Sequence, residues 1–232
     1  MNNIIAIIPA RSGSKGVKDK NIRKIAGKTL IHYAVKVALA SDKISGTYIS
    51  TDSKLYEKIA IECGVDSLGL RSKELSGDYA SSVDVVIDFV KQLPNKPDII
   101  VLLQPTSPVR TTAQVNECLK LLESSSVTNA VISIARFEEP HPHKLKKIDS
   151  QGHLVSFIEN ADSSTPRQKL PHLYQLTGSI YAIKTEALLK YRTFNPPGTL
   201  PYEVDCFANI DSEDDILFLK YMVENGKINL PD

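Results

Sequence analysis

The chain has 232 residues, 42% of them apolar and 24% charged, with a net charge of +1. That length suits one large domain with a buried core, and the balance excludes both a disordered chain and a generally basic binder of nucleic acid or membrane. Cys63, Cys118 and Cys206 lie far apart and fit neither a disulfide framework nor a zinc site.

Free thiols in a reducing cytoplasm are therefore the expected state. No stretch approaches the roughly 20 apolar residues of a membrane span. The opening MNNIIAIIPA has no basic region, and its apolar run is too short for a signal peptide. The expected location is the cytoplasm, with no nucleic acid or membrane as partner.

In chain order, IIAII (4–8) is apolar throughout, as expected of a strand covered on both faces. LIHYAVKVALA (30–40) places Leu30, Ile31, Ala34, Val35, Ala38 and Leu39 on one helical face. TYIST (47–51) reads as a strand, and KLYEKIAIEC (54–63) as a helix stopped by Gly64. SVDVVIDFVKQL (82–93) is a helix ended before Pro94, and DIIVLLQ (98–104) another buried strand. AQVNECLKLLE (113–123) is helical, NAVISIA (129–135) and GSIYAIK (178–184) are strands, and a last helix covers about 213–224.

The β-α-β-α order predicts a Rossmann-like three-layer α/β sandwich with a mostly parallel sheet. A single domain over 1–232 is expected. Segment 136–176 breaks the pattern, with a hairpin turning at Gln151-Gly152, and reads as an insertion for dimerisation or substrate binding.

Ligands of such sheets sit beyond the carboxyl ends of the strands. The first of those ends opens into ARSGSKGVKDKN (10–21). From Arg11 to Lys28 there are seven cations, and Asp19 is the only anion. The Rossmann GxGxxG spacing is absent, and GKT (27–29) lacks the glycine a Walker A loop needs five residues earlier, where Ile22 stands. What remains is a different polyphosphate loop. Gly13 and Gly16 would bring backbone N–H groups close to the ligand, Ser12 and Ser14 would add hydroxyls, and Arg11, Lys15 and Lys20 would supply charge. The plain alternative, a solvated loop, is disfavoured by its place directly after a buried first strand.

IPARSGSKGVKDKN, LLQPTSPVR and GSIYAIK, in that order, resemble the CMP-sialic acid synthetases, the acylneuraminate cytidylyltransferases. The resemblance runs over nearly the whole chain. It implies transfer of CMP from CTP to a nine-carbon 2-keto sugar acid of sialic, legionaminic or pseudaminic type, with release of pyrophosphate. It further implies Mg2+ and a homodimer whose partner helps to complete the sugar pocket. By resemblance Arg11, Ser14, Lys15, Lys20 and Asn21 hold the triphosphate. Arg71, Ala80 and Ser82 lie near the nucleotide, and Gln104, Lys144, Arg167 and Tyr181 face the sugar acid. Arg11, Lys20 and Asp211 would be catalytic, Arg11 and Lys20 by stabilising charge on the α-phosphate and the leaving pyrophosphate. Arg110 reads as structural.

Two positions depart from the family's pattern. The family's metal-binding Asp-Ile-Asp reads Asn209-Ile210-Asp211 here. Asp211, with Asn209 beside it, is the expected Mg2+ site, since Mg2+ needs only one or two carboxylates when phosphates and water complete its shell. Asp205 or Asp215 would be the compensating acids, while Asp214 and Asp215 also suit a helix N-terminus. Thr177 stands where many sialate enzymes carry asparagine, so N-acetylneuraminate is not singled out. A Kdo cytidylyltransferase, another sugar nucleotidyltransferase, or a non-catalytic CTP-binding paralogue stay open as alternatives.

Overall fold

The computed structural model describes residues 2–137 and 139–231. In chain order the elements are β1 (Ile4–Pro9), β2 (Lys24–Ile25), β3 (Lys28–Thr29), α1 (Leu30–Leu39), β4 (Gly46–Ser50), α2 (Lys54–Glu62) and β5 (Asp66–Ser67). They continue with α3 (Ser82–Gln92), β6 (Ile99–Leu102), α4 (Thr112–Glu123), β7 (Ala130–Phe137), β8 (Lys146–Ile148) and β9 (Leu154–Ser156). The last are β10 (Leu173–Lys184), α5 (Thr185–Tyr191), β11 (Thr199–Glu203) and α6 (Glu213–Glu224).

Seven strands form one sheet in the order β11-β7-β10-β6-β1-β4-β5. β4 and β6 flank β1 in parallel, β5 lies parallel to β4, and β11 parallel to β7. Only β10 runs against its neighbours, β6 and β7. The unbroken apolar run of β1 explains the three layers. Its side chains alternate between faces: Ile4, Ala6 and Ile8 enter a core with α1, α2 and α4, while Ile5 and Ile7 enter a second core with α3 and α5. The expected sandwich and mostly parallel sheet are therefore present.

A third apolar cluster positions the site. Ile210, Ile216 and Leu219, in and just before α6, pack on Val17, Ile25, Leu30 and Tyr33. The acidic C-terminal stretch is thereby laid over the basic loop that follows β1. Ser212 starts α6 with a capping box, in which the Asp215 side chain accepts from the Ser212 N–H.

Five elements escaped the sequence reading: β2, β3, β5, α5 and β11. α5 has only seven residues, and β11 is an edge strand containing Pro201, which proline permits only at an edge. The GKT run is a tight hairpin between β2 and β3, with Ala26 and Gly27 at φ 47 and 81, as a two-residue primed turn requires. Its lysines Lys24 and Lys28 are exposed.

Segment 136–176 forms the far end of the β7–β10 pair, whose register runs out to Leu173 opposite Phe137. Beyond it lies the β8–β9 hairpin, with Gly152 in its turn at φ 86. Nearer the sheet, β10 slips register between Leu176 and Tyr181. Ser133 holds this bulge. Its hydroxyl accepts from the Ile180 N–H at 2.8 Å and pairs with the Thr177 hydroxyl at 2.7 Å. Thr177 is buried, so its hydroxyl serves the bulge. Among the described residues no helix is long and apolar enough to cross a membrane.

Candidate active site

A cleft of about 350 Å3 opens over the carboxyl ends of β1 and β6, where a sheet of this kind holds its ligands. Arg11, Ser14, Lys20 and Asn21 line it from the loop after β1. Arg71 and Ala80 line it from the run between β5 and α3, and Ser82 from the first residue of α3. Gln104 projects from the turn after β6, and Asn209 and Asp211 arrive ahead of α6. Four segments distant in sequence thus meet in one hollow. Lys15 reaches the same place, its Nζ 2.6 Å from the cleft residue Asp78.

The basic loop is pinned, not loose. The Ser12 N–H and hydroxyl both donate to the Asp52 carboxylate, at 2.8 and 3.0 Å. Asn21 donates through Nδ2 to the Arg11 carbonyl at 3.0 Å, and Val17 is buried in the third cluster. Gly16 touches the C-terminal stretch so closely that a Cβ there would stand 2.2 Å from the Asp211 carbonyl oxygen. These contacts give three of the loop residues a structural part as well. The bareness of Gly16 admits the Asp211 backbone, and the Ser12 hydroxyl is engaged by Asp52. Asn21 holds the loop's shape through the amide it gives to Arg11.

Arg11, Lys15 and Lys20 each meet a carboxylate. Arg11 Nη1 lies 2.9 Å from Asp78, which also takes Lys15. These hydrogen bonds, from Lys15 first and Arg11 second, hold the Asp78 carboxyl below its usual range. Lys20 Nζ lies 2.9 Å from Asp211 Oδ1, and Asn209 donates through Nδ2 to Asp211 Oδ2 at 2.6 Å. Arg71 is anchored by its N–H to the Thr51 carbonyl at 2.7 Å. Burial lowers its pKa; Asp52 opposes the shift and Arg11 adds to it.

The turn after β6 ties the cleft together. Ser107 donates its N–H to the Gln104 carbonyl at 3.2 Å, closing a turn with Pro105 at the position proline favours. The Thr106 carbonyl accepts the Ile210 N–H at 2.9 Å. Ile210 is fully buried, so its neighbours Asn209 and Asp211 are held at the cleft.

Neither of the two acids weighed as compensation for Asn209 lines the cleft. Asp215 accepts from the N–H groups of Asp211 and Ser212, at 2.9 and 2.7 Å, and caps α6. Those contacts, the Asp211 N–H foremost, lower its pKa. Asp205 is exposed and lies outside the cleft lining.

Three expected substrate contacts lie outside the cleft of this chain. The Tyr181 ring packs on Phe194 at 5.3 Å between centroids, against the second core. Arg167 Nη1 is 3.7 Å from Glu139 and borders a separate hollow with His141 and His172. Lys144 is exposed in a short turn after cis-Pro140. Sequence reasoning also missed three residues that shape the site: Asp52, Asp78 and Thr106. Asp52 follows a strand whose end was expected to matter. A lone aspartate in SGDYASS and a turn carbonyl carry no sequence signal.

A cationic cleft over the strand ends of a mostly parallel sheet defines the class of α/β proteins that hold ligands at that edge. Within it the chain belongs to the cytidylyltransferase family, whose model matches residues 5–214. It is 35% identical over 217 residues to the N-acylneuraminate cytidylyltransferase of Streptococcus agalactiae serotype III, covering 92% of this chain and 51% of that protein. The chain thus spans about half the length of that relative. It is 33% identical over 201 residues to the CMP-N,N'-diacetyllegionaminic acid synthase of Legionella pneumophila, covering 85% of each. The fold is also that of the solved structure of CMP:2-keto-3-deoxy-manno-octonic acid synthetase complexed with CTP. There the TM-score is 0.72 at 16% identity, over 97% of this chain and 99% of that one.

Proposed function

We propose that this protein transfers CMP from CTP to the anomeric 2-hydroxyl of a nine-carbon 2-keto sugar acid of sialic or legionaminic type. The observation that carries the reading is the cleft itself. Arg11 and Lys20 from the first strand's loop, Gln104 from the turn after β6, and Asp211 2.9 Å from Lys20 share one hollow. The likeness to a diacetyllegionaminic acid synthase over 85% of both chains supports the same substrate class.

The hydroxyl oxygen would attack the α-phosphorus in line, forming a new P–O bond as the bond to pyrophosphate breaks and the hydroxyl proton passes to water. No protein nucleophile is needed. Arg11, Lys15 and Lys20 would bear on the triphosphate and stabilise the charge that moves onto the leaving pyrophosphate. For this the cations must exchange Asp78 and Asp211 for phosphate oxygens. Gln104 would orient the acceptor from its rigid turn.

Asp211 and Asn209 fit Mg2+ in donor type. One carboxylate stands beside an amide whose N–H group is turned to that carboxylate, which leaves the amide's carbonyl oxygen as a second hard donor. Among the described residues no cluster of three or more His, Cys, Asp or Glu side chains would hold a metal alone, so phosphate oxygens and water would complete the shell. When bound, the ion screens the phosphate oxygens and lowers the pKa of the attacking hydroxyl.

The working unit is proposed to be a cytoplasmic homodimer. Lys144 and Arg167 lie outside this chain's own cleft, and the same segment exposes Ile148, Leu154 and Phe157 at 73%, 72% and 59%. A second copy docked there would cover those side chains and bring the two cations to the acceptor's carboxylate. A 31P NMR time course of CTP, Mg2+ and a nonulosonic acid tests the chemistry. One phosphodiester signal should grow in step with pyrophosphate. Growth of CMP and pyrophosphate without a phosphodiester would show hydrolysis and end the reading.

A further inference from the structure

Arg110 closes the LLQPTSPVR motif, and it is buried, with 2% of its surface exposed. Among the described residues it forms no ion pair. Nη1 donates to the Ser179 carbonyl at 2.7 Å, Nη2 donates to the Gln104 carbonyl at 2.6 Å, and Nε has no partner. A buried cation held only by neutral carbonyls is an expensive way to fasten a turn, since desolvation is not repaid by a counter-charge. Burial alone presses its pKa down to about 9, which leaves it charged at neutral pH. A residue serving only stability would be replaced at less cost by an apolar one.

What the guanidinium joins gives the reason. Gln104 begins the turn that faces the cleft. Ser179 belongs to the bulge of β10, and the Ser107 hydroxyl makes a second, longer link to it, donating to the Thr177 carbonyl at 3.4 Å. Between them, Gly178 sits at φ 71, and a Cβ there would stand 2.9 Å from Gln104 Oε1. The Gln104 side chain therefore lies against the bare glycine of the bulge, while Arg110 fixes the separation of the two backbones from behind. The planar fork presents rigidly spaced donors to carbonyls on two elements at once.

We propose that Arg110 is a positioning residue for the acceptor half of the cleft. Its fork clamps the Gln104–Ser107 turn to the Thr177–Ser179 bulge and so sets where the Gln104 amide points. This rests on the reading of Gln104 as a sugar-acid contact. Lysine at 110 keeps the charge but lacks the rigid fork. Methionine keeps the length and removes the buried charge, which makes it the second variant should lysine disturb the fold.

The test compares Arg110→Lys and Arg110→Met with the unaltered protein by two readouts. The first is the split of kinetic constants. The KM of the sugar acid should rise at least about tenfold, as misplacement of a positioning group does. CTP affinity in EDTA should stay within about twofold, because the nucleotide loop follows β1. The second is the side-chain amide signal of Gln104 in a 15N spectrum, identified by its loss in Gln104→Glu. It should shift in both variants, and it needs no turnover. If the unaltered protein releases no pyrophosphate with any acid, the enzymatic reading fails and this signal alone decides the clamp. A folded Arg110→Met with an unmoved Gln104 signal overturns the proposal. So does an equal loss of CTP and acid affinity, which would mark a general structural role.

Discussion

Lys20 Nζ lies 2.9 Å from Asp211 Oδ1, although 191 residues of chain separate them. Lys20 is the loop cation expected on the triphosphate, and Asp211 the carboxylate expected on Mg2+. Their pairing brings the two functions into contact. The side chain of Lys20 is 13% exposed and that of Asp211 67%, so the lysine is fixed and the carboxylate is the freer partner. Substrate would reach Lys20 by drawing Asp211 toward the metal.

The loop cations should matter for rate far more than for folding. Arg11→Ala and Lys20→Ala are expected to lower kcat by about a hundredfold or more, the scale of losing one preorganised charge contact. Thermal midpoints should change little, because an ion pair with a solvent-exposed partner contributes about 1 kcal/mol or less, and Asp78 and Asp211 are 36% and 67% exposed. Steady-state kinetics beside a melting curve checks both. Full activity in either variant refutes the loop assignment.

Asp78 should compete with phosphate. It sits on Arg11 and Lys15 at 2.9 and 2.6 Å, so Asp78→Asn frees both cations and should tighten pyrophosphate binding several-fold by calorimetry. The pH dependence follows from the direction of its shift. A carboxyl lowered in the folded state keeps its ion pairs above the ordinary carboxylate range and loses them only as pH falls through the lowered pKa. The gain in Asp78→Asn should therefore be the same at pH 6 and pH 8. Weaker pyrophosphate binding in the variant would instead make Asp78 part of the binding site.

Gly16 and Gly13 should separate close approach from simple loop flexibility. At Gly16 an added Cβ meets the Asp211 carbonyl at 2.2 Å, a backbone atom that cannot swing away, whereas at Gly13 it meets nothing within 4 Å. Gly16→Ala should destabilise the fold by about 1–3 kcal/mol, as overpacking does. Gly13→Ala should stay within about 0.5 kcal/mol. Urea melts of the two variants decide the matter; equal midpoints would deny the contact.

Asn209→Asp should strengthen metal binding. The change replaces an amide donor to Asp211 Oδ2, now at 2.6 Å, with a second carboxylate. Without metal the two acids repel and one carboxyl's pKa rises. With Mg2+ they become a charged pair of donors. The Mg2+ concentration giving half-maximal pyrophosphate release should fall about tenfold, the order expected when a neutral donor gains a charge. An unchanged requirement would place Asn209 outside the metal's shell.

Much of this site could be read before the fold was known, for a physical reason. Apolar runs such as IIAII and DIIVLLQ announce buried strands, and a loop of glycine, serine and cations after the first of them announces an anion site. What stayed hidden depends on contacts distant in sequence. The partners of Arg11 and Ser12 are Asp78 and Asp52, whose own surroundings look like ordinary polar loops. The close approach of Gly16 to Asp211 was hidden because nothing in the sequence brings the two together. β11 and α5 were missed because an exposed edge strand and a seven-residue helix carry weak periodicity.

The central claim is tested most directly by pyrophosphate release from CTP and Mg2+ with N-acetylneuraminate, diacetyllegionaminate, pseudaminate and Kdo in separate reactions, beside a control lacking any acid. The account predicts release that depends on one of the nine-carbon acids and a silent control. Release with Kdo alone, or silence with all four while CTP binds, would contradict it.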